Sequence, residues 1–330
     1  MIFQSALTLA PLRVSFAGGG TDFKSYYSNH SGIVISTAIK KYVYVHVKRH
    51  DPLFQEKYRI SYSTVEHCQT RDEIQNLIVR SSLELLGIDE PLQISISSDL
   101  PSNSGLGSSS SFAVALLLGL HSIRGEQVSA SQLATEACEV EINLMKSPIG
   151  KQDQYAASFG GFNCYEFLED ESIRIEPINI TKKLTDQIFN NSIIVWTGKA
   201  REANIILRDQ EERINDNLNY LNEIKNVANK FKSELIRSDS DVKNLGRLIG
   251  ESWELKKKLS PLINDGAVGE IINQLSSLDS IGLKLLGAGG GGFIFVMFQD
   301  LTPHKKEQLS NLSYFSPEID FTGARVVSVN

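Results

Sequence analysis

The chain has 330 residues, long for one hydrophobic core and comfortable for two, so two lobes are expected. Hydrophobic residues make up 41% and charged residues 22%, ordinary values for a soluble globular protein. The formal net charge is -6 and no Lys/Arg block suggests a phosphate-tracking surface, so nucleic acid is not an expected partner.

In chain order, Arg13–Ala17 and Ile33–Lys48 are rich in β-branched and aromatic residues, and Tyr42–Val47 and Arg59–Ser63 read as strands. Arg71–Leu86 has helical periodicity and stops at Gly87. The stretch from Leu92 to Pro101 alternates like a half-buried strand. A Ser/Gly loop follows, then an apolar helix, Phe112–Ile123, and a second helix from about Ser131 to Lys146. Phe162–Phe167, Ile173–Ile180 and Ser192–Thr197 read as strands. Beyond them the texture changes, with long charged amphipathic helices over Glu202–Lys232 and Asp241–Leu259 and a third over Gly266–Leu278. Strands near Leu283–Leu285 and Phe293–Phe298 flank a glycine tract, and a helix near His304–Leu312 precedes a closing strand, Ala324–Val329. The elements are mixed rather than strictly alternating, so the fold class is α+β. The lobe boundary is expected near residue 190, giving lobes 1–190 and 191–330.

The N-terminal MIFQSALTLAPLRVSF lacks a basic n-region and a clean apolar h-region with a cleavage site, so no signal peptide is expected. The longest apolar run, around Phe112–Leu120, is too short to span a bilayer. Three distant cysteines, Cys68, Cys138 and Cys164, form no CxxC pair, which speaks against zinc and fits a reducing cytoplasm. They read as buried, inert thiols.

The most informative segment is PSNSGLGSSSS, Pro101–Ser111, between a strand and a helix. Glycines let backbone approach a ligand closely and adopt positive φ. The first N–H groups of the helix lack intrahelical partners, and with the helix dipole they form an anion site. Serine is a poor interior helix residue, so four at one helix start point to capping or ligand contact. A Walker loop is excluded, because its last glycine must be followed by Lys and then Ser/Thr, and Gly107 is followed by Ser108. The tract Gly287–Gly292 formally satisfies G-x-G-x-x-G, but a strand-like run, FIFVMF, follows where a dinucleotide site needs a helix.

If the anion held at this loop is a phosphate to be transferred, acids nearby are needed to hold a metal and to position or deprotonate an acceptor hydroxyl. On the helix from Ser131 the apolar stripe is Leu133, Ala137, Val140 and Leu144. Glu139 lies away from it, and Glu136 and Glu141 flank it on opposite sides. Periodicity alone does not choose between those two.

PSNSGLGSSSS resembles the signature loop of the GHMP kinases. RVSFAGGGTD, Arg13–Asp22, resembles that family's substrate motif, and KLLGAGGGGFIF, Lys284–Phe295, its glycine motif, in the same order along the chain. The resemblance implies a two-lobed GHMP fold: an N-terminal lobe like ribosomal protein S5 domain 2 and a ferredoxin-like α/β C-terminal lobe. It implies that ATP phosphates lie against Pro101, Ser104, Gly105, Leu106, Gly107, Ser108, Ser109 and Ser110, and that Ser109 and Glu141 contact Mg²⁺. SPIGKQDQYAASFGG, Ser147–Gly161, resembles the segment whose aspartate faces the acceptor hydroxyl, here Asp153 with Arg13 as basic partner. A nearby cation would keep Asp153 ionised. Gly18, Gly19, Gly20, Thr21 and Asp22 match the acceptor motif, and Gly289 and Gly290 are expected to shape the same pocket. Gly19–Asp22 reads Gly-Gly-Thr-Asp where galactokinases carry Glu-His-Thr-Asp, which disfavours galactose.

Within the family, Ala10–Asp22, the Ser147–Gly161 segment and Trp196–Leu207 are most similar to the members that phosphorylate a heptose 7-phosphate at its anomeric hydroxyl. A fucokinase-like, galactokinase-like or mevalonate-type kinase is the alternative. A sugar phosphate calls for cations at its phosphate end, and Lys151, Lys199 and Arg201 are the candidates. The expected ligands are thus ATP, Mg²⁺ and a small sugar phosphate, with no nucleic acid and no membrane. Assembly is open, with a homodimer as one option.

Overall fold

The computed structural model describes residues 3–51, 53–200, 203–263 and 266–330. Two long antiparallel strands open the chain, β1 (Ser5–Ala17) and β2 (Gly32–Arg49), joined through a glycine turn and a short helix, α1 (Lys24–His30). A hairpin of β3 (Tyr58–Ser61) and β4 (Val65–Cys68) follows. The helix expected over Arg71–Leu86 is a 3-10 turn, Arg71–Glu73, and a shorter helix, α2 (Leu77–Leu85). Asn76 sets its start, because its side chain accepts from the Val79 N–H. Strand β5 (Leu92–Ser98) then leads through the serine loop into α3 (Ser108–Ile123).

Helix α3 is apolar all round, and every residue from Ser110 to Ile123 is buried, packed against β1 and β2. Helix α4 (Ala130–Cys138) runs on into a π-helical turn, Glu139–Leu144, where a plain helix was expected. Next come α5 (Gln152–Phe159), β6 (Phe162–Phe167), β7 (Ile173–Pro177) and α6 (Lys182–Phe189). The second half contains β8 (Ser192–Trp196), α7 (Ala203–Glu212), α8 (Leu218–Ile236), α9 (Val242–Lys256), a 3-10 turn (Pro261–Ile263) and α10 (Gly266–Ser276). It closes with β9 (Ser280–Leu285), β10 (Phe293–Phe298), α11 (Pro303–Gln308), β11 (Tyr314–Phe315) and β12 (Arg325–Val329). The single helix expected over Glu202–Lys232 is therefore two, broken before Asn217, whose side-chain amide donates to the Leu259 carbonyl (2.8 Å). Helices α1 and α6 were not legible from periodicity, being only two turns each.

The strands form an eight-stranded sheet, ordered β12-β1-β2-β5-β3-β4 with β6 and β7 on the other half of β2, and a four-stranded sheet ordered β11-β8-β10-β9. The last strand returns to the first sheet, antiparallel to β1. Phe16 joins the two halves: it stacks on Phe162 (5.2 Å between centroids) and Phe231 (5.7 Å) and meets Phe295 edge-on (5.3 Å). All three cysteines are buried and free. No helix among the described residues is long and apolar enough to cross a membrane.

Candidate active site

The site lies in a cleft where β1, the serine loop, the start of α5, α7, the end of α9 and the glycine tract meet. The serine loop has the backbone its glycines predict. Gly105 (φ +88°) and Gly107 (φ +78°) are left-handed, and Gly107 is the N-cap of α3. A Cβ on Gly107 would stand 3.2 Å from Asp153 Oδ2 and 3.3 Å from Arg13 Cγ, so the loop floor touches the acid and its partner directly. The loop is braced from behind. The Leu106 carbonyl accepts from the Arg13 N–H (3.0 Å), and the Ser111 hydroxyl donates to the Pro11 carbonyl (2.7 Å). The Ser104 carbonyl accepts from the Phe293 N–H (3.0 Å), which ties the loop to the second sheet.

Arg13 is buried on β1, in a stretch bracketed by register shifts at Pro11/Leu12 and Ser15/Ala17. Such irregularities re-aim side chains beside active sites. Its Nε and Nη2 donate to the two oxygens of Asp153 (2.6 and 2.7 Å), and Nη1 donates to the Gly105 carbonyl (2.7 Å). One guanidinium therefore fixes both the carboxylate and the serine loop. Asp153 is in the first turn of α5, where the helix N-terminus favours negative charge.

Glu141 comes from the π-helical turn and is fully buried. Ser109 Oγ donates to one carboxylate oxygen (2.6 Å) and Gln154 Nε2 to the other (2.6 Å). Burial pushes its carboxyl above the ordinary range, against the pull of these donors. Glu136 instead holds His121 Nε2 (2.8 Å), while Glu126 holds Nδ1 (2.6 Å). Of the two flanking acids that periodicity left equivalent, Glu141 lines the cleft and Glu136 lies away from it. Among the described residues no group of three or more His, Cys, Asp or Glu gathers as a metal cage. Mg²⁺ is commonly held by one or two carboxylates plus phosphate oxygens, and the hard oxygens of Glu141 and Ser109 beside the serine loop fit that donor set.

Asp22 is buried and accepts from the Gly20 N–H (3.0 Å) and from Gln152 Nε2 (2.9 Å). Burial first, and Asp153 second, push its carboxyl upward. Gly19 and Gly20 line the cleft beside it, whereas Gly18 and Thr21 brace the turn. The Thr21 hydroxyl bonds to the Gly18 carbonyl (2.8 Å), and a Cβ on Gly18 would collide with the Ile33 carbonyl. On the far wall Gly287 and Ala288 face the cleft; Gly289 and Gly290 pack on the turn at Ile263. A strand, β10, follows the tract, as a non-dinucleotide reading requires.

Pro101, Ser104 and Leu106 do not line the cleft, while Gly105, Gly107, Ser108, Ser109 and Ser110 do. Lys151 lies over the Tyr27 ring (5.1 Å) and Lys199 is exposed near Gly292; neither lines the cleft. Arg201 lies outside the described residues. Sequence reasoning missed Ser15, Gln152, Gln154, Gln210, Lys256 and Lys284. Gln210 Nε2 donates to the Ala288 carbonyl (2.9 Å), and the Lys256 ammonium is bonded to the Gly287 carbonyl.

A glycine–serine loop opening a helix, faced by a fork-bound carboxylate and a buried acid, has the kinds of group that phosphoryl transfer calls for. The model of the GHMP kinases N-terminal domain matches residues 75–161, and that of the GHMP kinases C-terminal domain matches residues 231–311. The D-glycero-alpha-D-manno-heptose 7-phosphate kinase of Campylobacter jejuni is 30% identical over 313 residues, covering 92% of this chain and 91% of that protein. The galactokinase of Thermotoga maritima is 23% identical, over 87% of this chain and 88% of that one. A D-glycero-D-manno-heptose 1-phosphate kinase from Bacteroides thetaiotaomicron shares the fold, with a TM-score of 0.77 at 22% identity over 98% of this chain and 99% of that one. The chain belongs to the GHMP kinases, and it is an ATP-dependent kinase.

Proposed function

We propose that this enzyme transfers the γ-phosphoryl group of Mg-ATP to the anomeric hydroxyl of a heptose 7-phosphate, giving the 1,7-bisphosphate. The observation that carries the transfer chemistry is the Arg13–Asp153 fork against the floor of the serine loop. The similarity to the heptose 7-phosphate kinase over nine-tenths of both chains supports the acceptor.

In this reading the N–H groups of Gly105–Ser110 and the N-terminus of α3 hold the triphosphate. Asp153 accepts the hydrogen bond of the acceptor hydroxyl and aligns its oxygen on the γ-phosphorus. As the O–P bond forms and the bond to the leaving ADP oxygen breaks, the hydroxyl proton passes to Asp153 Oδ. Arg13 holds that carboxylate in place through both of its oxygens. Asp22 and Gln152 orient the sugar from the other side. Glu141 and Ser109 would hold Mg²⁺, which supplies charge neutralisation at the phosphate oxygens. Because the transition state is loose, positioning contributes more than proton removal.

The test is ³¹P NMR of the product from heptose 7-phosphate and ATP. A new anomeric phosphate resonance beside the retained 7-phosphate is expected. ADP release with L-fucose, galactose or mevalonate but none with the heptose phosphate overturns the acceptor assignment.

A further inference from the structure

The cationic side chains lining the cleft, among the described residues, are Arg13, Lys256 and Lys284. Arg13 is committed to Asp153 and the Gly105 carbonyl. Lys284 is buried and donates to the Phe16 carbonyl (3.1 Å). Burial, with Lys256 and Arg13 as neighbours, pushes its amine well down, so it is poorly suited to meet a ligand as a cation. Lys256 differs. It ends α9, and its ammonium stands 3.8 Å from the point where a Cβ on Gly19 would sit. Ser15 Oγ and Gln152 Nε2 lie at the same 3.8 Å from that point.

These three groups border the part of the cleft that a side chain at residue 19 would enter. Two buried polar atoms there have no hydrogen-bond partner, Ser15 Oγ and Gln152 Oε1. Buried hydroxyls and amides are ordinarily satisfied, so such a pair beside an ammonium points to a polar ligand. None of these residues belongs to the serine loop. They come from β1, the glycine turn, the start of α5 and the end of α9, and Gln152 directly precedes Asp153. This part of the cleft therefore lies on the acceptor side.

We propose that Lys256, with the Ser15 hydroxyl as a second donor, holds the anionic end of the acceptor over Gly19 and so selects a phosphorylated sugar over its neutral counterpart, while Gln152 Oε1 accepts from a hydroxyl of the same sugar. The proposal rests on the reading of the enzyme as a sugar-phosphate kinase. It places the phosphate contact at a residue that reads in sequence as part of a lysine run on a helix, Lys256–Lys258.

The test is steady-state kinetics of Lys256→Met, Lys256→Arg and Ser15→Ala with heptose 7-phosphate and with the same heptose lacking phosphate. Lys256→Met is expected to raise KM for the phosphorylated acceptor about 10–150-fold, the worth of one charged hydrogen bond. The preference, as the ratio of kcat/KM for the two acceptors, should fall by a similar factor, while KM for ATP moves less than about twofold. Lys256→Arg should restore part of the preference, and Ser15→Ala should lower it by a smaller factor. If Lys256→Met weakens both acceptors and ATP alike, Lys256 only braces the Gly287 carbonyl and the proposal falls. Should the wild type refuse heptose 7-phosphate, the proposed function fails by itself. A second arm then decides the site: inorganic phosphate binding measured by titration with a non-hydrolysable ATP analogue filling the serine loop. Weakening by tenfold or more in Lys256→Met and partial recovery in Lys256→Arg sustain the anion site; unchanged binding overturns it.

Discussion

Replacing Asp153 by Asn keeps the shape and removes the charge. In the wild type both carboxylate oxygens are occupied by Arg13, at 2.6 and 2.7 Å. After the change one guanidinium N–H faces an amide NH₂ and loses its acceptor. Arg13 is 5% exposed and Asp153 22%, so the loss falls below the about 3–5 kcal/mol of a fully buried pair broken on one side, at about 1–3 kcal/mol. Catalysis should suffer more. Losing a positioned base costs about 10²–10⁴-fold in kcat. That is about 2.7–5.4 kcal/mol at about 1.36 kcal/mol per decade. Coupled ADP-release kinetics well below the melting temperature isolate the chemical effect, and calorimetric titration gives the ATP affinity. The expected result is a folded variant with that loss in kcat and an ATP affinity within about twofold of wild type. A folded Asp153→Asn enzyme within tenfold of the wild-type rate would refute the role. A loss of ATP affinity as large as the loss of kcat would move Asp153 from the acceptor to the nucleotide.

Glu141→Gln removes the buried charge that Ser109 and Gln154 bracket; the Mg²⁺ concentration for half-maximal rate should rise about 10–100-fold, and a titration that does not move argues against the metal role. Gly107→Ala forces a Cβ onto a left-handed residue and against Asp153 Oδ2 and Arg13 Cγ. Stability should drop about 1–2 kcal/mol from the backbone alone, and kcat about 10–100-fold from displacement of Asp153; a rate equal to wild type would show that the loop floor does not set the acid's position. His121 is clamped between Glu136 and Glu126: burial would push its imidazole down, but the two carboxylates outweigh it and raise it above its ordinary 6.5. A raised folded value means that its contribution is full below about pH 6.5 and is lost as pH rises through the folded value. The melting-temperature gap between wild type and His121→Gln should therefore be widest in mild acid and narrow toward alkaline pH; a gap that widens with pH would contradict the clamp.

The serine loop was legible because its chemistry is local. Glycine turns, a helix start and unfavourable interior serines occupy one short segment, and its backbone came out left-handed at Gly105 and Gly107. Asp153 and Arg13 are 140 residues apart. Only the resemblance to a family paired them, because no periodicity links a β1 arginine to the first turn of α5. Lys256 and Lys284 were illegible for a related reason. A lysine at the end of a charged helix ordinarily faces water, and Lys256 is buried because α9 ends against the glycine tract, which is a tertiary fact.

Glu141 shows how a local irregularity creates a site that periodicity cannot read. Projected on a straight helix of about 100° per residue, Glu136 and Glu141 are equivalent flanks of one apolar stripe. The chain breaks that equivalence by widening the helix after Cys138 into a π-helical turn, Glu139–Leu144. Glu136, still in regular α-helix, reaches the imidazole of His121. Glu141, past the change, is carried inward to Ser109 at the head of α3 and Gln154 in α5. The expense of burying that carboxylate, visible in its raised proton affinity, is sustained in a fold that gives it two donors. π-helical turns recur at functional sites, and here the extra width brings a buried acid within hydrogen-bond reach of the serine loop more than thirty residues earlier in the chain.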